Sequence, residues 1–204
     1  MATRNIVPRA NDEGNIGTAL KNWLKGWFKD LTVAGAISGA LNGSVGGTTP
    51  AAGSFTTITG GGNYTNPSQP CFDVYLSTSQ LNIAKDAAVI IAFDTERFDI
   101  GSNFNTTTNR FIAPVTGKYL FTYSLYVYGI PGDNIAIIPS LVTSNRPYEN
   151  NMDITSSGDR SANYSVITEM DTNDVCYVRI YYTGGTGGVI DVGTQSSFSG
   201  TLLN

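Results

Sequence analysis

From Lys118 to Tyr128 the chain reads KYLFTYSLYVY, a run of aromatic and β-branched residues with one charge, at its start. Tyr119, Phe121, Tyr123, Leu125 and Val127 share one parity, and Leu120, Thr122, Ser124, Tyr126 and Tyr128 share the other. Period two with this composition specifies a β-strand. Both parities carry large side chains, so the strand is expected to be covered on both faces, centrally in a sheet. Pro114 and Gly117 just upstream prevent a helix and aim the chain into the strand. One face goes to the domain core, and the aromatic surplus on the other goes to a partner, which assigns Tyr126 and Tyr128 to subunit contact.

The remainder of residues 70–204 repeats this grammar in shorter pieces. Strands are expected at 72–76, 88–93, 111–113, 118–128, 135–142, 162–169, 174–182, 189–192 and 198–203, separated by turn clusters and without helical period. Only 14% of the 204 residues are charged and 23 are glycine, which also favours β-structure. The result is an all-β domain, a jelly-roll β-sandwich.

Residues 1–69 follow other rules. After a polar arm, Leu20, Trp23, Leu24, Trp27, Phe28 and Leu31 fall at amphipathic-helix spacing, with Thr18 as N-cap and a stripe of Lys21, Lys25 and Lys29 elsewhere. So short a helix needs a partner for its Trp/Leu face, a sister chain or a larger body. In 33–47, Val33, Ile37, Leu41 and Val45 recur every four residues, with Gly35, Gly39, Gly43 and Gly47 between them. Four glycines disfavour a helix, and collagen needs glycine at every third position. Identical extended chains wound about an axis would let each large residue fill the space over a neighbour's glycine. The competing reading is a flexible linker. The expected organisation is 1–32 as an N-terminal anchor with the short amphipathic helix, 33–69 as a Gly-rich extended stalk and 70–204 as the head. Leu20, Trp23, Leu24, Trp27, Val33, Ile37, Leu41 and Val45 are the expected trimer contacts there.

Several chemistries lack their residues. There is no histidine, no G-x-S-x-G elbow and no phosphate-binding glycine loop. The carboxylate pairs Asp94/Glu96 and Asp171/Asp174 suit solvated turns better than a hydrolytic cleft. Asp94, Glu96 and Asp99 have oxygens suited to calcium but no dense Asp/Asn loop around them, so neither metal nor cofactor is expected. Cys71 and Cys176 read as free thiols. A net charge of −4 gives no electrostatic footprint for nucleic acid. The opening residues carry no apolar run, so neither secretion signal nor membrane insertion is expected. Loops at 129–134, 144–160 and 183–188 are the candidate ligand surface. Tyr148, Asn150, Asn151, Arg160 and Tyr164 are side chains of the kind that contact sugars or protein loops.

Two resemblances follow from quoted pieces of the chain. FDVYL (72–76), IAFDTERFD (91–99), FNTTTNRFIAPVTGKYLFTYSLYV (104–127), EMDTNDVCYVRIYY (169–182) and SSFSGTLL (196–203) together resemble the head of the C1q/tumour-necrosis-factor-like family. The residues that carry it are Phe104, Phe111, Pro114, Gly117, Tyr119, Phe121, Asp174, Phe198 and Gly200. This implies a ten-strand jelly roll assembling as a tight homotrimer through an aromatic inner sheet, with calcium in some relatives. Residues 5–60, with NIVPRANDEGNIGTALKNW, LTVAGAISGALNGSVGG and TTPAAGSFTTI, resemble the start of a bacteriophage tail fibre or other virion appendage. That implies a non-enzymatic virion protein assembled in the host cytoplasm. Its N-terminus would dock to other tail or capsid-associated proteins, and its head would meet a host surface receptor, glycan or protein. An architectural spike without receptor binding is the alternative, and a polysaccharide depolymerase is a third class.

Overall fold

The computed structural model of the chain describes residues 68–132, 134–186 and 188–203. The expected helix, the period-four stretch and their contact residues lie outside the described residues. The described part is built from antiparallel strands in two seven-stranded sheets.

The first sheet contains β1 (Cys71–Tyr75), β2 (Gln80–Ala84), β4 (Thr95–Ile100), β7 (Gly117–Tyr128), β11 (Arg160–Met170), β13 (Val189–Val192) and β14 (Ser197–Leu202). Its order runs β2-β13-β7-β14-β1-β4, with β11 also paired to β7. Because β11 pairs along β7 from Gly117 to Val127, β14 and β13 must share the opposite edge in succession. The strand singled out by its sequence is therefore the centre of this sheet. The second sheet contains β3 (Val89–Ile90), β5 (Phe104–Asn105), β6 (Arg110–Ile112), β8 (Ile135–Thr143), β9 (Pro147–Glu149), β10 (Met152–Ile154) and β12 (Val175–Gly184). Its order is β10-β8-β12-β6-β5, with β9 beside β8 and β3 beside β12.

Alternation in β7 sorts its residues as period two requires. Tyr119, Phe121, Tyr123, Leu125 and Val127 are fully buried between the sheets. The opposite parity is only half-buried in the single chain, so the expected second cover is not supplied by this head itself. Phe72 sits at the centre of the core, with ring centroids 5.2 Å from Phe104, 5.0 Å from Phe111, 6.3 Å from Phe121 and 5.0 Å from Phe198. Gly200 lies across from both Phe72 and Phe121, where a Cβ would come within 2.6 Å of each ring. Only glycine lets these two rings close over β14. Both cysteines are free, and Cys176 is buried.

Five strands were not expected: β2, β4, β5, β9 and β10. They are short, and most of their side chains are exposed or half-exposed, so they carry little apolar alternation to read. In β2 the alternation is broken outright by Asn82, which sits at φ 59°. The stretch expected as a strand over 88–93 shows the converse, because only Val89–Ile90 is strand. The Gln80 side chain lies alongside it, accepting from the Ala92 N–H at 2.9 Å and donating to the Ile90 carbonyl at 3.0 Å. An amide side chain here takes the place of a neighbouring strand's backbone. Gln80→Leu is therefore expected to cost about 2 kcal/mol, the order of leaving part-buried backbone groups unpaired. A denaturant titration of the purified chain would measure it, and an unchanged midpoint would mean water replaces the amide.

The two ends of the sandwich differ. Leu202 N–H donates to the Pro70 carbonyl at 3.0 Å, and Leu203 N–H donates to the Lys118 carbonyl at 2.8 Å. The chain therefore enters and leaves at one end, here the proximal end. The 113–117 turn and the 171–174 turn also lie there, joined by the Ala113 N–H to the Asp174 carbonyl at 2.8 Å. Antiparallel register then carries the 84–89, 129–134, 155–160 and 184–189 connections to the opposite, distal end.

Candidate functional site

Two surfaces carry unmatched chemistry: the outer face of the first sheet and the distal loop cluster. The outer face is ordered by register. At its proximal side Ile167, Leu120, Thr201, Cys71 and Ile100 form one row across β11, β7, β14, β1 and β4. The next row is Ser165, Thr122, Ser199, Asp73 and Phe98, with a 2.8 Å hydroxyl–hydroxyl bond between Thr122 and Ser165. Ile167 is 58% exposed, Phe98 48% and Ile100 39%, which is where most apolar surface of this face remains in water. A crevice of about 190 Å³ opens among Cys71, Phe98, Leu120, Thr122 and Thr201.

Toward the distal side the face becomes aromatic. The Tyr126 and Tyr128 rings stack with centroids 5.9 Å apart. The Tyr126 hydroxyl donates to the Asp159 carboxylate, and that bond raises its pKa above the usual tyrosine value. Tyr126 and Tyr128, assigned to subunit contact from sequence, thus share one face with the proximal apolar rows.

The far edge of β11 is closed by side chains rather than by a strand. Asn145 Nδ2 donates to the Glu169 carbonyl at 3.3 Å, Asn150 Nδ2 to the Asn163 carbonyl at 3.5 Å, and the Tyr148 hydroxyl pairs with Thr168 at 2.9 Å. Tyr164 stacks on the buried Tyr123 at 6.0 Å. The region 144–160, read as a loop, contains β9 and β10 and runs along this seam. Of the five side chains singled out for ligand contact, Tyr148, Asn150 and Tyr164 are seam residues, Asn151 is an exposed neighbour, and Arg160 alone lies at the distal end. The structure does not bring the five together. The framework residues Phe111, Tyr119, Phe121 and Phe198 are core, Pro114 lies in the proximal turn, Gly117 opens β7, and Gly200 is the close-approach glycine of β14.

The distal loops hold one another. Arg160 donates to the Asp159 carbonyl at 2.9 Å and to the Ser156 carbonyl and hydroxyl at 3.1 Å each. Lys85 donates to the Gly185 carbonyl at 3.0 Å, and Asp86 accepts from Thr183 at 2.5 Å and Tyr181 at 3.5 Å. Gly132 packs so closely on the Ser156–Ser157 backbone that a Cβ would collide with the Ser157 nitrogen. Tyr182 donates to the Gly188 carbonyl. Sequence reasoning passed over Lys85, Asp86 and Ser156; the only signal was the Lys-Asp turn pair between two short apolar pieces.

Two of the three carboxylates considered for metal, Asp94 and Asp99, are engaged with the chain itself. Asp94 accepts from the Ser77 N–H at 2.8 Å and hydroxyl at 2.5 Å, bonds that lower its pKa. This tie is present above the ordinary carboxylate range and is lost as pH falls through the depressed value. Asp99 accepts from the Asn103 and Phe104 N–H groups at 3.2 and 2.8 Å. Among the described residues no three His, Cys, Asp or Glu side chains converge as a metal site.

Comparison with known proteins places this architecture. Solved structures to which the chain is similar include the globular domain of zebrafish complement 1qA protein, at 16% identity over 67% of this chain and 98% of that one, with a TM-score of 0.44. Murine APRIL at pH 5.0 aligns at 11% identity over 66% of this chain and 99% of that one, with a TM-score of 0.47. The C1q domain matches residues 71–203, from the first strand of the sandwich through its last, and the chain belongs to the C1q domain family.

Proposed function

We propose that this chain is the subunit of a homotrimeric bacteriophage tail fibre. Residues 1–32 dock to other tail or capsid-associated proteins, and the C1q head meets a receptor on the host surface. The protein is a non-enzymatic part of the virion. The observation that carries this reading is the polarity of the head: the chain enters and leaves at one end, and the interlocked loops cluster at the other. Receptor contact is assigned to those loops. The half-covered outer face of the first sheet supports self-association, since the described residues leave its apolar rows partly in water. Ordered loops held by a rigid sandwich are also a common setting for recognition.

Fluorescently labelled full-length protein should adsorb saturably to cells of the bacterium that the phage infects, and unlabelled protein should compete. Adsorption no greater than that of an unrelated trimer of equal size would favour the architectural spike. Loss of capsular or lipopolysaccharide substrate during the incubation would instead indicate a depolymerase.

A further inference from the structure

Most polar groups at the distal end are used internally, and the exception is a crevice on the outer surface of the second sheet. Asn134, Ile135, Ala136, Asp153, Ile154 and Thr155 line a cavity of about 250 Å³ there. Its floor follows from register. Asp153 of β10, Ala136 of β8 and Thr183 of β12 lie side by side across three strands. Ala136 is the small residue between two larger ones, so the surface dips at that point.

The rim is hydrogen-bonding and unoccupied by the protein. The Asn134 amide, the Asp153 carboxylate and the Thr155 hydroxyl are exposed, and among the described residues none bonds another side chain or backbone group. They differ in this from Asp86, Asp159 and Arg160 nearby. The rim is also held in place. Asn134 is in the left-handed region at φ 47°, and its carbonyl packs against Gly184, where a Cβ would come within 2.6 Å.

Charge limits the ligand. Among the described residues, Lys85 and Arg160 are the cations of the distal end, and both donate to backbone carbonyls. Among the described residues the free charge at the crevice is the Asp153 carboxylate. A phosphate, sialic acid or uronic acid would meet an anion with no cation to offset it. A neutral sugar ring fits instead: a carboxylate and an amide offer paired acceptors and donors to vicinal hydroxyls, and the dip over Ala136 accepts the flat side of one ring. The volume is below the range of drug-sized pockets, consistent with one residue of a longer glycan.

We propose that this crevice is a subsite for one neutral hexose or deoxyhexose residue of a surface polysaccharide, bound through Asn134, Asp153 and Thr155 over Ala136. The proposal rests on the reading of the head as the receptor-binding part. It lies on the second sheet, so self-association through the first sheet would leave it open.

The test uses the full chain on a printed array holding neutral hexose and deoxyhexose oligosaccharides beside sialylated, uronic-acid and phosphorylated ones. Binding to a subset of the neutral glycans is expected. Asp153→Ala and Asn134→Gly, which accepts the left-handed backbone at that position, should each reduce it at least tenfold with little change in the melting temperature. Ala136→Phe, which fills the dip without removing a polar group, should abolish it. Preference for the anionic glycans, or no neutral glycan bound, overturns the proposal. If the variants bind glycans and host cells like the parent chain, the subsite is wrong while the receptor-binding reading stands. If the parent binds neutral sugars through this crevice but does not adsorb to host cells, the subsite stands and the receptor reading fails.

Discussion

Phe72→Ala is expected to lower the stability of the head by about 3–5 kcal/mol, the usual range for deleting a buried phenyl ring. Phe72 is 1% exposed and touches four other phenylalanine rings drawn from β5, β6, β7 and β14. Those strands belong to both sheets, so the ring is the contact that holds one sheet on the other. Its neighbours cannot collapse into the vacated space easily, because Phe104, Phe111 and Phe198 are each fixed by their own backbone pairing. A loss of this size is a large fraction of an ordinary domain's stability, and part of the population should unfold at growth temperature. Denaturant unfolding followed by tyrosine fluorescence and far-UV circular dichroism would check it. A loss under about 1 kcal/mol would mean that the aromatic cluster is not the structural centre.

Leu120→Glu is expected to turn the assembly into monomers while leaving the head folded. Leu120 lies on the half-buried side of β7, between Ile167 and Thr201 in the proximal row, so a carboxylate there reaches water in a free head. In a packed trimer it would be an unpaired buried charge, at about 3–5 kcal/mol for each copy. That exceeds what loss of one methyl contact could do, and it should lower association more than a hundredfold. Sedimentation velocity at micromolar concentration should give a single-chain species for Leu120→Glu and a threefold larger one for the parent and for Leu120→Met. A Leu120→Glu protein that sediments with the parent would remove the first sheet's face from subunit contact.

How far these sites could be foreseen varies by element. β7, β11 and β12 were legible because each alternates over eight or more residues, β8 because it is a long apolar run, and all four begin or end within a residue or two of the places expected. β4 was not legible, although its Phe98 and Ile100 complete the apolar rows, because TERFDI holds three charges and most of it faces water. Gln80 could not be picked out at all. Its role depends on the Ile90 and Ala92 backbone groups being ten and twelve residues away in sequence and adjacent in space.

The same contrast applies to the recognition surfaces. A single chain's alternation determined that β7 would have two unlike faces, since side-chain direction in a strand is a local property of the backbone. The family was legible as a resemblance, carried by residues such as Phe111, Pro114, Gly117 and Gly200. Which residues meet was decided by tertiary structure. The five side chains chosen for ligand contact by type were separated, three of them into the seam beside β11. Asn134, Asp153 and Thr155, undistinguished in sequence, were brought to one crevice by the pairing of β8 with β10. Local chemistry sets what each residue can bond, and register between distant strands sets what it finds within reach.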